Sequence, residues 1–326
     1  MKTIRRILLI LDASLSRTPA VERAVAFSRK TGASLWVGLF DRGPRLGVLG
    51  ILDRADARHI ENMMRDQMST KLDDLKRQLS EDGLTVHTID DREAPSVENI
   101  LRQVAEAQID LIVKDVGHES ALRRLVFLPL DWELLRNSPV PMWMVGAQAR
   151  PGLLPQRIVA AVDPLNPEHG AGPLNDRLLD IAGSFAAAGS GHVRVFTAFG
   201  GLPAALRGLD PNGLSISQSY EELYDRLRKE HRQQFDALLK RHAMTNDDAV
   251  VLFGPAAPTL LDALEDYQAD ALVVGTIRRR GIDRLLMGST VERLIGEAPC
   301  DLVAVPAVAQ TVTVMPPCKE EPFAVM

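Results

Sequence analysis

Five apolar residues run unbroken from 7 to 11, comparable short runs recur at 34–40, 111–113 and 142–145, and 86–89 continues the alternation between them. A run that is apolar at nearly every position, instead of every second one, predicts a strand covered on both faces, the habit of parallel sheets. Between these runs lie longer stretches whose apolar residues return at helical spacing. For the first of them, Thr18 and Pro19 supply an N-cap and a first-turn proline, and Gly32 ends it. The stretch 53–82 is polar and long with a helical apolar stripe and stops at Gly83, and 97–107 and 132–136 continue the alternation. Beyond 157 the order returns, with strands expected at 158–162, 193–199, 250–253, 271–274 and 302–305 and helices at 174–188, 220–241, 259–267 and 291–295. Strands alternating with helices predict an α/β fold of doubly wound, parallel sheets with right-handed crossovers, about five strands in each copy.

The order returns because the text does. "RILLILD" at 6–12 parallels "RIVAAVD" at 157–163, 151 positions later. Pro95, Leu101, Gln108, Asp110 and Val113 fall on Pro255, Leu261, Gln268, Asp270 and Val273, now 160 positions apart. The same spacing carries Arg124, Leu125, Leu134, Pro139 and Val145 onto Arg284, Leu285, Leu294, Pro299 and Val305 without a gap. The second copy therefore gains nine residues in its middle. This predicts two repeated domains, 1–146 and 157–306, a Pro- and Gly-bearing linker over 147–156, and a tail over 307–326 in which "VTVM" is the strand-like segment.

Composition narrows the classes of function. A net charge of −5 argues against a broad nucleic-acid-binding face. No apolar run approaches the ~18 residues of a membrane span. The opening "MKTIRRILLILD" has basic and then apolar residues, but it reaches Asp12 too early for a signal peptide and has no small-residue cleavage site. A buried first strand and a cytoplasmic chain are expected. Cys300 and Cys318 make no disulfide framework. Cys300 and the group Met63, Met64 and Met68 read as packing residues, and His59, His87, His169, His192, His231 and His242 as scattered surface positions. His118 and Glu119 are adjacent but lack a third ligand at metal-binding spacing, so no metal site is expected. Neither a Ser/His/Asp set, a paired acid and base, nor GxGxxG occurs, so no catalytic residues are assigned.

Candidate chemistry lies at strand ends, because open α/β sheets bind ligands beyond their carboxyl edges where the strand order reverses. In the second copy Asp163 ends the first strand, Ala198 and Phe199 the second, and Gly275 the fourth. Asp163 suits an adenine amino group or a ribose hydroxyl, and equally an Asx-type turn. "GTIRRRGIDRLLMGST" (275–290) resembles the nucleotide loop of the universal stress protein family, whose ATP-binding members show G-x2-G-x9-G-(S/T). Gly275, Gly288 and Ser289 fall in register with it. "VERLIGEAPCDLVAV" resembles the family's final helix and strand, and 110–145 of the first copy resembles its tandem members. The resemblance spans nearly the whole chain. It implies a five-stranded parallel sheet per domain, the two domains packed through their last strands as an internal pseudo-dimer. It also implies an adenine-nucleotide site drawing on Asp163, the Ala198 backbone, Gly275, Gly288, Ser289 and Thr290, with Mg²⁺ accompanying any ATP.

The departures from the pattern bear on function. Arg278 stands at the loop's second glycine and Arg280 where a small residue is usual. Arginine lacks glycine's backbone freedom, yet it supplies charge-assisted hydrogen bonds to phosphate; a solvated basic loop is the alternative. In the first copy Asp115, His118, Leu128 and Pro129 replace Gly275, Arg278, Gly288 and Ser289. A carboxylate then faces the phosphate position, and the proline removes an N–H donor. Nucleotide binding is thus expected in the second domain alone. "LVFLPLDW" (125–132) in the first is expected to pack against the other domain or to line an apolar groove. The expected function is binding and signalling in a stress response. A slow Mg²⁺-dependent ATPase and a nucleotide-free interaction scaffold are the alternatives, and further self-association of the chain is expected.

Overall fold

The computed structural model describes residues 3–11, 18–40, 54–89, 96–116, 130–146, 153–165, 171–200, 216–276 and 289–307. The first half contains β1 (Arg6–Leu11), α1 (Pro19–Thr31), β2 (Ser34–Leu39), α2 (Arg54–Glu81), β3 (Val86–Ile89), α3 (Val97–Glu106), β4 (Leu111–Asp115), α4 (Leu130–Asn137) and β5 (Met142–Val145). The second contains β6 (Arg157–Val162), α5 (Ala171–Gly189), β7 (His192–Phe199), α6 (Ile216–Arg241), β8 (Ala249–Phe253), α7 (Ala256–Tyr267), β9 (Ala271–Thr276), α8 (Ser289–Glu297) and β10 (Asp301–Pro306). Among the described residues the strands form one sheet in the order β3-β2-β1-β4-β5-β10-β9-β6-β7-β8. Each half is a parallel, doubly wound sheet with the same internal order. The halves meet where β5 and β10 pair antiparallel.

Alternation along the buried strands explains the layers. Ile7, Leu9 and Leu11 face one core with α1, α2, α5 and α6, while Leu8 and Ile10 face the other with α3, α4, α7 and α8. Helix ends follow local chemistry. The Thr18 side chain accepts from Val21 N at 3.4 Å. Gly32, at φ 72°, ends α1 in the left-handed region that glycine tolerates. Ser190, at φ 53°, ends α5 the same way, 158 residues later. Phe27 and Phe185 stand the same distance apart and touch, with centroids 5.2 Å apart. Of the nine added residues, seven therefore fall between β6 and the body of α5, lengthening that helix to 19 residues against 13 in α1.

The repeated Arg, Gln and Asp form a clasp at the amino ends of the strands. Asp110 Oδ2 accepts from Arg5 N and Arg6 N at 3.0 and 3.2 Å, and Arg6 Nη1 donates to Gln108 Oε1 at 2.7 Å. In the second half Asp270 Oδ2 accepts from Gln156 N and Arg157 N at 3.1 and 2.9 Å, and Arg157 Nη1 donates to Gln268 Oε1 at 3.0 Å. Burial alone would raise the Asp270 carboxyl, but the two backbone donors and Arg157 outweigh it and hold it below the usual carboxylate range. Gln108 and Gln268, at φ 51° and 52°, are the left-handed ends of α3 and α7.

At the joint Trp143 on β5 pairs with Val303 on β10. These residues are 160 apart, the spacing of the repeat, so the pseudo-two-fold axis passes between them. Trp143 is fully buried, its ring edge-on to Phe27 at 6.0 Å and Phe185 at 4.7 Å. The pseudo-dimer joined through last strands is the arrangement found.

Two sequence expectations are corrected. His231 is not a surface residue: it is 4% exposed, because α6 lays it over β7 against the hydroxyl of Thr197. Met63 is 52% exposed instead of packed, as it lies on the outer face of α2. The side chains of Met64 and Met68, the "VTVM" segment, His118, His169, Cys318 and most of "LVFLPLDW" lie outside the described residues.

Candidate functional site

Strand order reverses in the second half between β6 and β9 and in the first between β1 and β4. Beyond the carboxyl ends of those strands lie the crevices in which such sheets take ligands. Pairing of Ala161 with Val274 and of Val162 with Thr197 brings Asp163, Ala198 and Gly275 to one edge. Ser289 and Thr290 open α8 beyond it. Arg278 and Gly288 lie outside the described residues, as does the side chain of Ser289.

Asp163 is exposed, and much of its bonding is already local. Its N–H donates to Asn175 Oδ1 at 3.2 Å, its carbonyl accepts from Asn175 Nδ2 at 2.9 Å, and its Oδ1 accepts from Leu165 N at 3.3 Å. The carboxylate thus forms the Asx-type turn that was one of its two readings, and its main chain stays level with the strand edge. Asn175 is buried on α5, and sequence reasoning missed it. No signal marked it, because Asp176 and Arg177 follow directly and the three read together as a polar stretch of the helix.

Gly275 has a packing reason of its own. A Cβ there would stand 2.8 Å from Cδ2 of Leu174, so any larger residue would make that side chain on α5 shift. Arg177, one turn further along α5, donates from Nη1 to the Pro306 carbonyl at 2.7 Å, and Pro306 pairs with Thr276. Its guanidinium is therefore held at the carboxyl end of β9. Burial lowers its pKa, but a guanidinium keeps its charge. This cation too was missed.

Below Ala198, the imidazole Nε2 of His231 lies 2.9 Å from Thr197 Oγ1, with Phe199 at 5.2 Å. Burial pushes the His231 pKa down, and the field of Asp163 offsets part of this. The ring is neutral at physiological pH and acts as a polar prop under the end of β7.

The first half is built differently at the same place. Asp115 ends β4, and its Oδ1 accepts from Ala20 N, in the first turn of α1, at 2.9 Å. The carboxylate expected to face a phosphate instead caps a helix. Lys114 pairs with Asp131 at 2.8 Å, where the second half has the buried Val274 and Val291. Asp12, Leu128 and Pro129 lie outside the described residues. Cys300 stands just ahead of β10, and burial pushes its thiol up to about 12, which leaves it a packing residue and not a nucleophile. Among the described residues no three His, Cys, Asp or Glu side chains are grouped to hold a metal ion, and no helix is long and apolar enough to cross a membrane.

A doubly wound α/β sheet, duplicated within one chain and joined through its last strands, defines a tandem two-domain α/β protein. The chain belongs to the universal stress protein family, whose sequence profile matches residues 3–146 and 155–306. It is 23% identical over 308 residues to universal stress protein E of Escherichia coli K12, covering 94% of this chain and 95% of that one. Against the universal stress protein E homolog of Haemophilus influenzae it is 28% identical over 209 residues, a match spanning 63% of this chain and 65% of that protein. In fold it is similar to a crystal structure from Pseudomonas aeruginosa UCBPP-PA14 assigned to the universal stress proteins, with TM-score 0.67, 22% identity and 93% of both chains covered.

Proposed function

We propose that the chain is a cytoplasmic binding and signalling protein of a stress response, whose second half takes one adenine nucleotide in the crevice between β6 and β9 and whose first half does not. The observation carrying this reading is the contrast at one position of the repeat. Gly275 edges the second crevice, whereas Asp115 in the first places a carboxylate on Ala20 N. A negative charge held there repels phosphate, and it occupies a backbone donor that an anion would use.

In the second half the adenine or ribose would lie against the backbone at Asp163 and Ala198. Phosphates would lie toward Gly275, Gly288 and the head of α8 at Ser289 and Thr290, where helix-end N–H groups favour negative charge. Arg177 would supply positive charge, and Arg278 either adds to it or obstructs the loop. Mg²⁺ would accompany ATP, screening its phosphates. Binding with little turnover is part of this reading, as the sequence singles out no residue for orienting a hydrolytic water.

Arg278→Gly tests this reading by equilibrium titration with labelled ATP. If the arginine contacts phosphate, binding weakens about five- to 150-fold, or about 1–3 kcal/mol. If it obstructs the loop, binding tightens. The expected result is weak binding by the unmodified chain and modest tightening with glycine. Phosphate release at saturating ATP and Mg²⁺ would identify the slow ATPase instead. A nucleotide-free scaffold is favoured by two contacts, the Asp163 carboxylate on Leu165 N and the fit of Gly275 to Leu174. It stands if ATP binds neither before nor after the substitution.

A further inference from the structure

Two charged contacts cross the joint and break the pseudo-symmetry, Arg136 with Glu292 at 3.5 Å and partly exposed, and Arg23 with Asp301 in the interior. Arg23 on α1 of the first half and Asp301 on β10 of the second are 4% and 2% exposed, with Nε 3.3 Å from Oδ2. The Nε–H is not aligned for a hydrogen bond, so the contact is one of charge. Asp301 also accepts from Trp143 Nε1 at 3.0 Å and Gly146 N at 3.1 Å, both from the first half. The spacing of 158 that relates Phe27 to Phe185 relates Arg23 to Ile181, and the spacing of 160 that relates Trp143 to Val303 relates Pro141 to Asp301. Both Ile181 and Pro141 are buried. The ion pair therefore exists on one side of the axis, and its symmetry mate is apolar.

We propose that Arg23 and Asp301 form a pairing key that makes the joint accept one first half and one second half and reject two of the same kind. Two first halves joined through β5 would bury two arginines, each facing Pro141. Two second halves joined through β10 would bury two carboxylates, each facing Ile181. The number of desolvated charges is the same in two mixed joints as in one joint of each like kind. Desolvation therefore cancels in the comparison, and the choice rests on the attraction between Arg23 and Asp301 and the repulsion between like charges. A buried ion pair is a poor source of net stability but a good source of selectivity on these terms. Such a key suits a protein whose two joining strands are copies of one repeat and could otherwise join chains end to end through like halves.

The test has two arms on the full-length chain. In the first, Arg23→Ile, Asp301→Asn and the double variant form a thermodynamic cycle, read by denaturant unfolding. Asn removes the charge and keeps an acceptor for one of the two donors, Trp143 Nε1 on Oδ2 or Gly146 N on Oδ1, while its NH2 faces the other. Arg23→Ile alone is expected to lower the folding constant about tenfold or more, Asp301→Asn to lower it through the acceptor it loses, and the double variant to lose severalfold less than the product of the two. That coupling is the selectivity term, and coupling below about twofold overturns the proposal. In the second arm a protease site within 147–152 is cut in the folded protein, the halves are unfolded and refolded together, and the pairs are weighed by native mass spectrometry. The wild type should give mixed pairs almost alone, and the double variant a mixture with both like pairs. Like pairs at the statistical proportion in the wild type, or unchanged selectivity in the double variant, would contradict the key. Should the cut chain fail to refold, the coupling in the uncut chain decides.

Discussion

At the scale of single residues, the same letter serves different ends, and burial decides between them. Asp270 and Asp110 looked alike as members of a repeat, and both turn out to clasp the start of a strand. Asp270→Ala orphans two backbone donors and frees Arg157, so it should cost about 1–3 kcal/mol at pH 7 by chemical denaturation. The Asp270 carboxyl lies below its ordinary value. Its contribution is therefore present above the unfolded pKa of about 3.9 and lost as pH falls through the lower folded value. The gap between wild type and variant should narrow in strong acid, and a gap that widened there would contradict the clasp. Gly275→Ala pushes a methyl onto Leu174, and overpacking of this kind costs about 1–3 kcal/mol. Gly275 was legible as a loop glycine through its spacing, but its packing partner was not, because nothing in the string tells that α5 reaches β9 at Leu174. The burial of His231 was illegible for the same reason: a polar residue on a largely polar helix reads as solvated until the helix is docked.

Elements were the most legible scale. Unbroken apolar runs marked the strands because helices cover both faces of the sheet, and Thr18, Pro19 and Gly32 marked α1 by their own chemistry. The extra length of α5 was visible only as a gap in the repeat. Its left-handed end at Ser190 had no signal, since serine is not the usual residue there. Ser190→Gly should accordingly stabilise the chain by about 1 kcal/mol, read as a rise in melting temperature, and no rise would mean that the serine is not strained. Asp115→Ala should cost about 0.5–2 kcal/mol, the worth of a helix cap. Loss on that scale in denaturant would identify the carboxylate as a cap on α1; an unchanged midpoint would remove that role. The 277–288 loop, where the family pattern is strongest, is the part of the candidate site whose geometry lies outside the described residues.

For the whole molecule, the repeat made two domains legible, and the family resemblance implied their joining through last strands. What breaks the symmetry was not legible, because Arg23 and Asp301 are far apart in the chain and neither is unusual alone. Burial pushes the Asp301 carboxyl up to about 6 even with Arg23 beside it. The folded state then holds this proton to higher pH than the unfolded state does. Stability from this group is full below about pH 4 and is lost as pH rises through about 6. Asp301→Asn should flatten that part of the stability profile, and an unchanged profile would place the titration elsewhere. The central claim is that one crevice of two takes the nucleotide. It is tested most directly by calorimetric titration of the intact chain with ATP, alongside Gly288→Val and Asp115→Ala. One site per chain is predicted, abolished by Gly288→Val because a β-branched side chain fills the phosphate position, and kept in Asp115→Ala. Two sites per chain, binding that survives Gly288→Val, or no binding at all would contradict it.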